Sequence, residues 1–262
     1  MHKFIQAILR KFIISFFDKL NFLVLNYEII LENHVEIWYN RFCDNRKGDI
    51  MKGAIFDVDG TILDSMGVWV DITDVFFSSH GVKISPEDNL KYQSMTLEET
   101  LPQIRKDYLP YMNIEDMLAE FLKLTRKAYR DTIPAKHGVC EYIRRLHSDG
   151  VKIAVATSGF KELCQSAFKR LGIFDLVDAY AFSAEVGCSK AQPDIYLLAA
   201  QRLGLEPKDC TVYEDIITGI MSAKQAGFET VAVYDTTNAQ DKERLLRCSD
   251  HYITGWTELL SK

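Results

Sequence analysis

From Met51 onward, short runs of β-forming residues alternate with stretches of helical periodicity, and this alternation constrains the fold of the 262-residue chain more than any other feature. The runs fall at residues 53–57, 152–157, 179–182, 211–213 and 230–233. Strands separated by helices are joined by crossovers, which bring successive strands into parallel alignment. An α/β fold is therefore predicted, with a mainly parallel sheet and helices on both faces.

The connection between the first two runs is too long for an ordinary crossover. Within it, Met117, Leu118, Phe121, Leu122 and Leu124 recur at helical spacing. We read residues 65–134 as a helical cap inserted after the first strand and lying over the end of the sheet. Residues 51–64 and 135–262 then form the catalytic core, and residues 1–50 an N-terminal extension.

That extension is rich in Phe, Ile and Leu from Phe4 to Tyr27, but Arg10, Lys11, Asp18 and Lys19 interrupt it. No uninterrupted apolar run reaches the roughly 20 residues that span a bilayer, so no transmembrane segment is expected. A small-residue cleavage site for a signal peptide is not evident. Three readings stay open: an interfacial amphipathic helix, an accessory helix on the core, or a non-native stretch created by a start codon placed too early. The third is preferred, because Met51 stands directly before the first strand.

A formal net charge of -6 argues against a nucleic-acid partner, which needs a basic face. Cys43, Cys140, Cys164, Cys188, Cys210 and Cys248 are scattered without the spacing of zinc ligands. They read as reduced thiols of a cytoplasmic protein. The histidines, His80, His137, His147 and His251 among them, are isolated and read as surface or structural residues.

Four short motifs carry chemistry, each at or just past the end of a predicted strand, where open α/β sheets bind ligands. In Asp57-Val58-Asp59-Gly60-Thr61, two carboxylates flank one residue. That spacing suits a pair in which one attacks or binds metal and the other moves protons. Thr157-Ser158-Gly159 offers hydroxyls and amides to phosphate oxygens at a helix start. Lys190 could neutralise both an attacking carboxylate and an incoming phosphate. Glu214-Asp215 ends another strand, and Asp215 with Asp57 would suit magnesium, which takes hard oxygen ligands. Each motif alone has a plainer reading: an acidic turn, a Ser158 helix cap, a solvated lysine, an Asp215 helix cap. Their recurrence at the ends of successive strands favours one shared site.

In order and spacing these motifs resemble the haloacid dehalogenase superfamily, in its helical-cap branch of phosphatases and phosphomutases typified by β-phosphoglucomutase. The likeness covers about residues 51–260. It implies a Rossmann-like core, with Asp57 as the nucleophile that carries an aspartyl phosphate and Asp59 as the general acid/base, its backbone carbonyl also on Mg2+. It further implies that Thr157, beside Ser158, and Lys190 bind phosphate, Lys190 also acting in catalysis. Glu214 and Asp215 join Asp57 and Asp59 as metal-binding residues. Ala191 and Ile216 stand where the family often has Pro and Ser, at positions that supply no chemistry. True dehalogenases lack the second acid of the Glu214–Asp215 pair, which points away from that reaction.

Departures in the cap bear on hydrolysis against mutase chemistry. Trp69 aligns with a family histidine and Leu97 with an arginine of the substrate loop; a mutase needs such a cation for its distal phosphate. Losing that arginine favours hydrolysis, with Arg105, Arg126 and Arg130 open as substitutes. Trp69, Phe76 and Phe77 read as packing within the cap. The expectation is a magnesium-dependent phosphatase of a small phosphate ester, a sugar phosphate by family analogy, acting as a monomer or weak dimer. The alternatives are a phosphomutase and, from another class, a non-catalytic binding or membrane-surface adaptor suggested by the extension.

Overall fold

The computed structural model describes residues 51–260 apart from 86 and 89–96. The readings of residues 1–50, Cys43 among them, lie outside the described residues, as do the side chains of Trp69 and Leu97. Residues 51–262 form one compact unit.

Six strands make a single sheet: β1 (Gly53–Phe56), β2 (Lys152–Thr157), β3 (Ala179–Phe182), β4 (Cys210–Glu214), β5 (Glu229–Val233) and β6 (His251–Ile253). Their order across the sheet is β3-β2-β1-β4-β5-β6, and every pairing is parallel. The chain first builds outward from β1 to β3, then returns to the other side of β1 for β4. The switch between β1 and β4 opens a crevice at their carboxyl ends, the place where such sheets bind ligands. Phe56 lies opposite Tyr213, so the residues that follow β1 meet the last residue of β4.

The predicted strands are all present, β4 and β5 one residue longer at their starts and β4 also at its end, and β1 one residue shorter. The sixth, β6, was not predicted: three half-polar residues, His251-Tyr252-Ile253, carry too little alternation to announce an edge strand.

Successive strand residues point to opposite faces, and both faces are covered. On one, Ile55, Ala154, Ala156 and Val212 pack with Ile195, Tyr196, Ala199 and Leu203 of α7 (Asp194–Leu203) and Ala223 of α8 (Ile217–Gln225). On the other, Phe56 stacks on Tyr213 with ring centroids 4.6 Å apart, and Tyr142 of α4 (Val139–Ser148) and Trp256 close the aromatic cluster. Helices α5 (Lys161–Leu171), the single-turn α6 (Ser183–Val186) and α9 (Lys242–Cys248) complete the crossovers.

Between β1 and β2 stand α1 (Val68–Ser79), α2 (Leu97–Asp107) and α3 (Ile114–Asp131), which share a separate apolar cluster of Ile72, Phe76, Phe77, Leu101, Ile104, Leu109, Met117 and Phe121. Phe76 and Phe77 are packing residues within it. Asn113 caps α3 by accepting from the Asp116 amide at 2.7 Å, which supplies one of the partners that a helix start lacks. The buried stripe of α3 is Met117, Phe121, Thr125 and Tyr129. Leu118, counted in the sequence pattern, is exposed instead.

Among the described residues no helix is long and apolar enough to cross a membrane. The five described cysteines are free.

Candidate active site

Asp57 directly follows β1, and its amide donates to the Tyr213 carbonyl at 2.9 Å, which holds the turn against β4. Three residues on, Gly60 adopts φ +85°, and a Cβ there would lie 2.4 Å from Asp215 Oδ2. Only glycine meets both demands. Thr61 is fully buried, and its hydroxyl donates to Asp215 Oδ1 at 3.3 Å. The first and fourth motifs therefore interlock.

Lys190 is 5% exposed, contrary to a solvated loop lysine. Its Nζ donates to Asp57 Oδ1 and, at 2.7 Å, to Glu214 Oε2, which also accepts from Tyr196 Oη at 3.0 Å. Ser222 donates to the Lys190 carbonyl at 2.6 Å and fixes the loop. Gly219 lets α8 approach closely, since a Cβ there would lie 2.5 Å from Tyr196 Oη. Burial opposes the lysine's charge, but Asp57 and Glu214 outweigh it and hold the ammonium above the ordinary lysine value.

Glu214 and Asp215 sit in the opposite balance. Burial, then the Asp57 charge, pushes Glu214 up to about 7 despite Lys190; burial, then Glu214 and Asp57, pushes Asp215 up to about 9. Asp215 does not cap α8, whose N-cap is Ile216. Asn238 instead donates to the Asp215 carbonyl at 2.6 Å, and Asp235, paired with Lys136 at 2.8 Å, holds that segment.

One carboxylate oxygen of each of Asp57, Glu214 and Asp215 lies within 4.8 Å of the others. Three carboxylates facing one ammonium carry a formal charge of two minus, and Asp57 Oδ2 is buried with no hydrogen-bond partner. A divalent cation that prefers oxygen answers both features, so these residues fit magnesium. Both Glu214 oxygens are engaged within the protein, Oε1 by the Ile216 amide at 3.3 Å. Asp57 and Asp215 are the better placed ligands.

Asp59 stands outside that group of three carboxylates. Its Oδ1 accepts from Tyr129 at 2.5 Å and Ser65 at 2.7 Å. Burial raises its carboxyl above the ordinary range against those two hydrogen bonds, and Asp57 adds to the rise. Tyr129, near the end of α3, is a contact that the motifs did not announce.

Thr157 is buried at the end of β2, and its hydroxyl accepts from the Gly159 amide at 3.0 Å. Ser158 is exposed, its hydroxyl 2.9 Å from that of Ser183, and it does not cap α5, whose N-cap is Phe160. Of the predicted residues, Asp57, Lys190, Glu214 and Asp215 form one cluster, Asp59 and Thr157 flank it near Gly159, and Ser158 turns outward. Arg105, Arg126 and Arg130 are exposed, and Arg130 pairs with Asp131 at 2.8 Å.

The chain is 32% identical over 181 residues to a bifunctional riboflavin kinase/FMN phosphatase of Arabidopsis thaliana, covering 69% of this chain and 48% of that protein. It is 30% identical over 184 residues to hexitol phosphatase A of Escherichia coli, covering 70% and 82%. A candidate β-phosphoglucomutase from Thermotoga maritima shares the fold with a TM-score of 0.73 at 24% identity, over 80% of this chain and 98% of that one. Residues 51–227 match the haloacid dehalogenase-like hydrolases, and the chain belongs to that family.

Proposed function

We propose that this chain is a magnesium-dependent phosphatase that transfers the phosphoryl group of a small phosphate ester, a sugar phosphate in the first instance, to Asp57 and then to water. The observation that carries this reading is the state of Asp57: one oxygen is held by Lys190, and the other is buried without a partner. A buried orphan oxygen is costly. It is retained where a group from outside the chain is to be bound.

In the first half-reaction the Asp57 carboxylate bonds to phosphorus while the ester P–O bond breaks, and protonated Asp59 gives its proton to the departing oxygen. In the second, Asp59 takes a proton from water as that water bonds to phosphorus, and the Asp57–phosphorus bond breaks. Lys190 and Thr157 hold the phosphoryl oxygens, and Glu214 with Tyr196 braces Lys190. Asp57, Asp215 and the Asp59 carbonyl would hold magnesium, which when bound supplies positive charge that offsets the acids and the phosphate. The likeness to named phosphatases supports hydrolysis.

Asp59→Asn tests the reading, since it removes the proton carrier and keeps size and backbone. With magnesium and p-nitrophenyl phosphate, turnover should fall roughly 10²–10⁴-fold. Phosphoenzyme should accumulate on the Asp57 peptide after rapid quench. An adduct on another residue, or turnover at the wild-type rate, would overturn the roles. No turnover by folded wild-type protein across a broad ester panel would instead favour a non-catalytic adaptor.

A further inference from the structure

Two hydroxyl donors reach Asp59 from different elements, and both fall on the same oxygen. Tyr129 Oη donates to Oδ1 at 2.5 Å and Ser65 Oγ donates to Oδ1 at 2.7 Å. Ser65 is fully buried and Tyr129 is 4% exposed, so water does not compete for either hydroxyl. The other oxygen, Oδ2, faces the loop after β2: a Cβ on Gly159 would lie 3.3 Å from it and 3.3 Å from Thr157 Oγ1. Tyr129 belongs to the last helix of the insert, yet the core fixes it. Arg170 of α5 donates to the carbonyls of Tyr129, at 3.3 Å, and Ile133.

A carboxyl oxygen that already accepts two short hydrogen bonds is a poor seat for a proton, because the added hydrogen would confront two others. The terminal torsion of aspartate is broad, so without such donors the group swings freely. We infer that Tyr129 and Ser65 are positioning residues that clamp Oδ1 of Asp59 and thereby commit Oδ2 to carrying the proton of both half-reactions. The inference rests on the acid/base role proposed for Asp59. In the first half the proton leaves Oδ2 for the ester oxygen as its bond to phosphorus breaks. In the second, a proton of water returns to Oδ2 as the water oxygen bonds phosphorus and Asp57 is released.

The test uses Tyr129→Phe, which keeps the ring in its buried slot, and Ser65→Ala, with Ser65→Thr as the conservative rescue. Each is assayed on phenyl phosphate, whose leaving group needs protonation, and on p-nitrophenyl phosphate, whose leaving group needs little. In both oxygen-deleting variants kcat/KM should fall about 10-fold more for phenyl phosphate than for p-nitrophenyl phosphate, the scale of one charge-assisted hydrogen bond. Ser65→Thr should restore the wild-type ratio. Equal losses on the two esters would mean a merely structural role and would overturn the inference, and Ser65→Ala decides it should Tyr129→Phe fail to fold. Asp59→Asn run alongside separates the two levels. If it does not discriminate between the esters, the acid role itself is wrong and the clamp falls with it. If it discriminates and the hydroxyl variants do not, only the clamp is refuted.

Discussion

Replacing Lys190 with Met removes one charge at nearly constant side-chain length from a buried site that gathers three carboxylates. The ammonium donates to Asp57 and to Glu214 at 2.7 Å, and the loop that carries it is held independently by Ser222 at 2.6 Å. Without it, the three clustered carboxylates go from a formal two minus to three minus. Breaking a buried pair from one side costs about 3–5 kcal/mol. Proton uptake by the acids returns some of this, about 1.4 kcal/mol per unit of raised pKa. A loss of about 3 kcal/mol near neutral pH is expected, or roughly 6–12 °C in Tm for a unit of this size.

The pH dependence follows from the acids. Glu214 at about 7 and Asp215 at about 9 titrate above their ordinary values, so the folded state holds more protons than the unfolded one. Metal-free stability therefore falls as pH rises from the ordinary carboxylate range, roughly pH 4, through those values. Lys190, raised in the fold, keeps its stabilising share throughout that window and loses it only above the ordinary lysine value. In Lys190→Met the acids are raised further, so the gap to wild type should be small at pH 5 and full at pH 8. Urea unfolding followed by circular dichroism in EDTA measures the gap, and p-nitrophenyl phosphate turnover should fall at least about 10²–10³-fold. A gap that shrinks as pH rises, or near-normal turnover, would refute the charge balance argued for this cluster.

Three further outcomes are expected. Magnesium at 100 times its Kd should stabilise the wild-type protein by about 2.7 kcal/mol, or roughly 5–11 °C in Tm, while Asp215→Asn should show almost none of this shift in differential scanning calorimetry; equal shifts would mean that Asp215 is not a ligand. Gly60→Ala should lose about 1–3 kcal/mol from its φ of +85°, with further loss of activity as the new Cβ crowds Asp215; a variant as stable and active as wild type would show that the turn tolerates a side chain. A chain beginning at Met51 should fold and keep metal-dependent turnover, because residues 51–262 form one compact unit; a well-folded but inactive product would assign residues 1–50 to the working enzyme.

The legible part of this site has a common physical origin. Asp57, Thr157 and Glu214 each end or follow a short apolar strand, and because the strands are parallel their ends converge whatever the intervening chain does. The position of the chemistry could thus be read one strand at a time. At Gly60 only the turn is a local feature, whereas the close approach of Asp215, which also demands glycine, exists only in the fold. The donors around Asp59 likewise exist only after folding. Tyr129 lies 70 residues from it in the chain and reaches it through the packing of α3 against α5. Reading α3 by apolar periodicity found Met117 and Phe121 but counted Leu118, Leu122 and Leu124 with them, whereas its buried stripe is Met117, Phe121, Thr125 and Tyr129. The last two carry hydroxyls and so register in the sequence as lapses in the pattern. In the fold the same stripe runs from the apolar cluster of the insert at Met117 and Phe121 to a carboxylate at Tyr129. Its change from apolar to polar character along one helix face marks where the insert stops packing on itself and begins to hold a reacting group.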